Sequence, residues 1–105
     1  MPVIEIYRAR IDPANIDRLL EIRDAAVAEF REQVPELLQA DLVRLDAETW
    51  LDILTWSEPV EPARVEQAAA CTPASAEMHG LMDAVLAHDR GELVRSSSEA
   101  WSSAR

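Results

Sequence analysis

The residues with the most chemical potential cluster on one short segment, Thr49–Ser57, which reads TWLDILTWS. Side chains on a strand alternate between faces with period two. Trp50, Asp52, Leu54 and Trp56 therefore share one face, and Thr49, Leu51, Ile53 and Thr55 share the other. An Asp set between two tryptophans is a candidate base, provided that burial raises its pKa. It is also a candidate cross-strand partner for Arg44, and that pairing has a slight edge over catalysis. Trp56 and Trp50 are anchors for a core, an interface or an aromatic ligand. His79 can carry a proton or hold a ligand near neutral pH. Tyr7 can present a hydroxyl to a pocket. Arg8, Arg10 and Arg44 can each clamp an anion if they point inward, or act as ordinary edge charges if they do not. Asp52 and His79 are thus the candidate proton carriers; Tyr7, Trp50 and Arg44 are the candidate substrate contacts.

Two other titratable groups read as structural. His88, in AHDRG, is expected at a helix C-terminus, where the dipole favours a cation. Cys71 is expected as a small buried hydrophobe near a helix end. It is the sole cysteine, which excludes an intrachain disulfide and a multi-cysteine zinc site. With only two glycines, Gly80 and Gly91, the chain has no phosphate-cradling loop.

The elements that must position these residues follow from pattern and punctuation. Val3–Ile11 is β-rich and reads as a first strand. Asp12-Pro13 is a cap-plus-proline signature that opens a helix. Ile16, Leu19, Leu20, Val27, Phe30 and Val34 keep helical spacing, interrupted by Arg23. That helix ends near Val34, because the residue before Pro35 is disfavoured in the α region. Leu38–Leu45 and Thr49–Ser57 are strands two and three, joined tightly enough to form an antiparallel hairpin. Pro62–Cys71 is an alanine-rich helix. Thr72-Pro73 repeats the cap signature and opens another helical piece running to about Leu86, with Met78, Leu81, Met82, Val85 and Leu86 as its apolar stripe. Gly91 ends the connection, and Glu92–Trp101 is the expected fourth strand.

This β-α-β-β-α-β order is the ferredoxin-like α+β arrangement. Right-handed crossovers put the helices on one face of an antiparallel sheet. The opposite face is then left as an apolar patch beyond what monomers usually expose. A second copy stacked sheet to sheet is the simplest cover, so a homodimer is expected.

The chain has 105 residues, which fits one domain over residues 1–105 with a serine-rich tail from about 96. Twenty acidic residues against ten basic ones, all arginine, give a net charge of −10. Such a surface repels phosphate backbones and anionic membranes, so neither nucleic acid nor membrane is an expected partner. No apolar run approaches the roughly 20 residues of a membrane span. The start, MPVIEIYRAR, lacks a secretory signature, and the expected location is cytoplasmic.

The start PVIEIYRARI, the Pro-initiated first helix, and a third strand ending in TWSEP before an alanine-rich helix together carry a resemblance. The chain resembles the dimeric α+β barrel superfamily, and within it the antibiotic-biosynthesis-monooxygenase-like proteins, over about residues 2 to 95. The resemblance implies a cofactor-free oxygenation of phenols by dioxygen, or a related proton transfer, on a small aromatic or polyketide-type molecule held between sheet and helices. It places Trp56 at the family's pocket Trp, which implies Trp56 as a candidate catalytic residue beside Asp52 and His79. Asp52 stands where an Asn would be wanted. A haem-degrading branch of the superfamily uses a His, an Asn and a Trp; only His79 matches that set. The remaining alternative is a non-catalytic, ligand-binding or structural homodimer of the same fold.

Overall fold

The computed structural model describes residues 1–97. It comprises β1 (Val3–Arg10), α1 (Pro13–Gln33), β2 (Leu37–Arg44), β3 (Thr49–Trp56), α2 (Pro62–Cys71), α3 (Pro73–Gly80) and β4 (Ala84–Glu92). The four strands form one antiparallel sheet in the order β2-β3-β1-β4. The helices lie on one side of it, giving the ferredoxin-like arrangement expected from the element order.

Local chemistry explains the boundaries. Asp12 caps α1: its carboxylate accepts the backbone N–H of Ala14 at 2.9 Å, and Pro13 supplies the first helical residue. The helix closes at Val34, whose N–H donates to the Phe30 carbonyl before Pro35 forces the chain out. In the β2–β3 connection Asp46 Oδ1 accepts the N–H groups of Glu48 and Thr49 at 2.9 and 2.8 Å. Those two donors fold the turn and hold the Asp46 carboxyl below its usual range.

Pairing fixes which face each residue takes. β1 and β3 align Val3 with Trp56, Tyr7 with Asp52 and Ala9 with Trp50. Val3, Glu5, Ala9, Trp50, Asp52 and Trp56 are buried beneath the helices. The opposite face aligns Ile6 with Ile53 and Ile4 with Thr55, and there these side chains are only half-buried. Two apolar clusters divide the helix side. One joins Val3, Phe30, Val34, Leu37, Trp56, Val60 and Ala68, and Trp56 meets Phe30 edge-on with ring centroids 6.0 Å apart. The other joins Ile11, Leu19, Ile22, Ala26, Trp50 and Met78.

The last third of the chain differs from expectation. The helix opened by Pro73 ends at Gly80, not near Leu86. Leu81 and Met82 close its final turn by donating to the Met78 and His79 carbonyls, and Asp83 N–H donates to the Arg10 carbonyl at 2.9 Å. That bond delivers the chain to the free edge of β1. Ala84–Glu92 then pairs along all of β1, with a bulge opposite Arg8/Ala9. Short apolar runs such as AVLA suit helix and strand alike, and the unpaired β1 edge decides the outcome. Glu92 is thus the last residue of the fourth strand rather than its first. Residues 93–97 form no strand, and 98–101 of the expected strand lie outside the described residues. Gly91 sits within β4 instead of ending a connection, His88 is a strand residue rather than a helix terminus, and Cys71 is exposed rather than buried. No helix among the described residues is long and apolar enough to cross a membrane.

Candidate functional site

Asp52 looks toward the helices, and its partner is not Arg44. Arg23 reaches down from α1 and grips both carboxylate oxygens, Nη2 to Oδ1 at 2.8 Å and Nη1 to Oδ2 at 3.1 Å. Both side chains are buried, and Arg23 Nη1 also lies 3.8 Å from Met78 Sδ. A bidentate, charge-assisted pair of this kind fixes the position of both groups. Arg44 cannot compete for Asp52 because the β2–β3 register sets it opposite Trp50, where its guanidinium lies 5.7 Å from the indole centroid. The sequence signal for Arg23 is the single charge interrupting the apolar stripe of α1.

Asp52 borders two adjoining spaces. An apolar cleft of about 520 Å³ runs between the β1/β4 part of the sheet and helices α2 and α3, past Ala9, Met82 and Val85. A smaller chamber of about 80 Å³ lies toward α1 and β2. Tyr7, Asp52, Val65, Ala69 and His79 line both, so these five residues mark the junction. The larger space falls within the size range of small-molecule sites.

At that junction His79 Nδ1 donates to the Ser75 carbonyl at 2.7 Å. A carbonyl can only accept, so a proton sits on Nδ1, and Nε2 is the ring nitrogen without a hydrogen-bond partner among the described residues. In its neutral form such a ring takes a proton at Nε2. Tyr7 has the opposite character. Burial first, and then the neighbouring Glu5 carboxylate, push its phenol up to about 12, so it stays protonated at neutral pH and serves as a donor. Its hydroxyl donates to Glu5 Oε2 at 3.4 Å, and its ring stacks on that of His88 at 4.2 Å, inclined by 4°. His88 Nε2 lies 2.8 Å from the same Glu5 oxygen. Buried Glu5 and the strand position of His88 were not legible in the sequence; a lone Glu in an apolar strand was the available sign.

The candidates therefore separate into two groups. Asp52, His79 and Tyr7 come together at the junction. Trp56 and Trp50 belong to the two clusters and do not line either space, and Arg44 lies outside it as well. Both indole N–H groups are buried without an acceptor among the described residues.

No family model matches the sequence, and no curated protein is similar to it. Solved structures are. An antibiotic-biosynthesis-monooxygenase-like protein from Bordetella bronchiseptica superimposes with a TM-score of 0.71 at 14% identity, over 90% of this chain and 98% of that one. A counterpart from Chloroflexus aurantiacus gives 0.62 at 17% identity, over 93% and 98%. SnoaB, a cofactor-independent oxygenase from Streptomyces nogalater, gives 0.53 at 16% identity, over 93% and 96%. Likeness at these identities is likeness of fold, and the chain carries the ferredoxin-like α+β architecture of the antibiotic-biosynthesis-monooxygenase-like proteins.

Proposed function

We propose that this protein is a homodimeric, cofactor-independent oxygenase acting on a small aromatic or polyketide-type phenol. The observation that carries the reading is the junction itself: a free imidazole nitrogen, a protonated phenol and a fixed carboxylate meet where an apolar cleft of about 520 Å³ opens. A flat aromatic ligand fills such a cleft by burying apolar surface. Its hydroxyl, placed at the junction, loses a proton to His79 Nε2, so the O–H bond breaks and an N–H bond forms. The Tyr7 hydroxyl turns its one proton from its long bond to Glu5 onto the resulting oxyanion. The phenolate is the electron-rich form that dioxygen attacks; overall the phenol O–H and one ring C–H are lost, one oxygen of O₂ becomes the new C=O of the quinone, and the other leaves as water carrying both hydrogens. Asp52 acts through Arg23, the pair holding the floor of the site in place, and Trp56 supports that floor from the core without touching the ligand.

The fold's likeness to SnoaB supports this reading and leaves the substrate open. The half-buried face of Ile4, Ile6, Leu51 and Ile53 supports the dimer, since an apolar sheet face calls for cover. A cytoplasmic setting agrees with one exposed, unpaired Cys71. One observation favours a second reading, a ligand-binding dimer without turnover: both oxygens of Asp52 are already taken by Arg23. The haem-type alternative does not fit, because only His79 of its three residues is present and neither α2 nor α3 contains a Trp.

The test is oxygen uptake by the purified protein supplied with anthrone-type phenols. Uptake is expected, with kcat falling about 10²-fold or more in His79→Ala. No uptake with any such phenol, or an unchanged rate in His79→Ala, rejects the oxygenase assignment.

A further inference from the structure

The chamber behind the junction has a character of its own. Its far end is walled by Ala26, Val27 and Phe30 of α1, Leu37 and Ala40 of β2, and Leu54 of β3. Ala26, Phe30 and Leu37 are buried, and all six side chains are hydrocarbon. The volume is about 80 Å³. An engineered apolar cavity of about 150 Å³ in another protein stays dry and takes benzene or xenon. A space half that size is too small for an aromatic ring and large enough for a molecule of two or three atoms.

Water is a poor occupant of the far end. A buried water needs two to four polar partners, and the polar side chains of the chamber, Tyr7, Arg23, Asp52, Ser75 and His79, stand toward the junction, with Arg23 and Asp52 already bonded to each other. The chamber also has a thin outer wall. Arg23, Val27 and Ala40 line both the chamber and an open groove of about 460 Å³ between α1 and β2. A small molecule can thus approach from the α1/β2 side while a larger ligand occupies the cleft on the β1/β4 side.

We propose that the apolar end of this chamber is a docking site for dioxygen, set behind the junction where the phenol's reactive ring sits. Placing the gas there keeps it beside the substrate, against hydrocarbon side chains. The choice of dioxygen rests on the oxygenase reading; the chamber's affinity for a small apolar molecule does not.

Dioxygen is paramagnetic and relaxes nearby methyl protons, so it is its own probe. The full chain, with methyl resonances assigned, is equilibrated under oxygen and then under nitrogen. Methyls of Ala26, Ala40 and Leu54 are expected to relax faster under oxygen than the surface methyls of Val94 and Leu20. Ala40→Leu, at a half-buried position, fills the chamber and brings the enhancement at Ala26 and Leu54 down to the surface level. A conservative second variant, Val27→Leu, gives the same result if Ala40→Leu does not fold. Enhancement no greater than at the surface, or one that survives filling, overturns the proposal even if phenols are oxidised. Enhancement that is present and removed by filling, without any phenol turnover, keeps the chamber and removes the oxygenase reading.

Discussion

Arg23 and Asp52 offer the sharpest energetic test of how this site is built. Replacing Asp52 with Ala leaves the Arg23 guanidinium buried and without its carboxylate. Both side chains are close to nine-tenths shielded, and the two bonds between them measure 2.8 and 3.1 Å. Breaking a pair of this kind costs about 3–5 kcal/mol, because the remaining charge has been desolvated without return. Domains of this size are stable by only about 5–15 kcal/mol. With an unfolding entropy near 2.1 cal/mol/K per residue over 105 residues, the expected fall in Tm is roughly 14–23 °C. The double replacement Arg23→Met with Asp52→Leu removes both charges and refills the space. It is expected to be neutral, or more stable by about 1–4 kcal/mol. Urea denaturation and calorimetry at one fixed protein concentration measure both, since the apparent stability of the proposed dimer would vary with concentration. A cost below about 1 kcal/mol for Asp52→Ala would match an exposed pair and refute the reasoning. So would a double variant as unstable as the single one.

Three further outcomes are expected. Trp56→Ala costs about 3–5 kcal/mol by opening a cavity under α1, whereas Trp56→Phe costs far less because a ring still fills most of the space and the indole N–H it removes has no acceptor among the described residues; a loss in Trp56→Phe as large as in Trp56→Ala would contradict this. Tyr7 is the chain's only tyrosine and lysine is absent, so tyrosinate absorbance reads Tyr7 alone. Its folded pKa of about 12 lies above its unfolded value of 10, so stability is whole below pH 10 and falls as pH rises from 10 to 12; the full shift is worth ~2.7 kcal/mol, trimmed to about 1 kcal/mol by solvent screening at a half-exposed ring, and a midpoint near 10 would contradict the described burial. Ile53→Asp places a charge at the centre of the uncovered sheet face and should yield monomers in sedimentation, with the fold retained; an unchanged dimer would move the interface elsewhere.

The fold was legible wherever punctuation and pattern agreed. Asp12-Pro13, Pro35, the β2–β3 turn and Pro62 each carry a local reason to start or stop, and the structure follows them. Legibility failed from Gly80 onward. There Leu81, Met82, Val85 and Leu86 keep helical spacing, yet the unpaired edge of β1 draws Ala84–Glu92 into the sheet. Long-range pairing of that kind leaves no mark within a short window of sequence. The site shows the same division. Asp52, Tyr7 and His79 could be singled out by residue type. Arg23, Glu5 and His88 could not, because a buried charge is recognisable only with its partner, and the partners stand 29 and 83 residues away.

That last separation bears on how the chain folds. β1 is hydrogen-bonded on both sides, to β3 and to β4, and its β4 partner is among the last described residues to be synthesised. At roughly 5–20 residues per second, β1 waits several seconds on a ribosome before its second edge can close. Until then Glu5 lacks His88, Tyr7 lacks its stacking ring, and a row of backbone donors and acceptors remains open to any passing strand. A sheet completed by so distant a pairing folds slowly for its size. A nascent-chain binder that shields one strand edge would therefore protect this protein most during the interval between the emergence of β3 and that of β4.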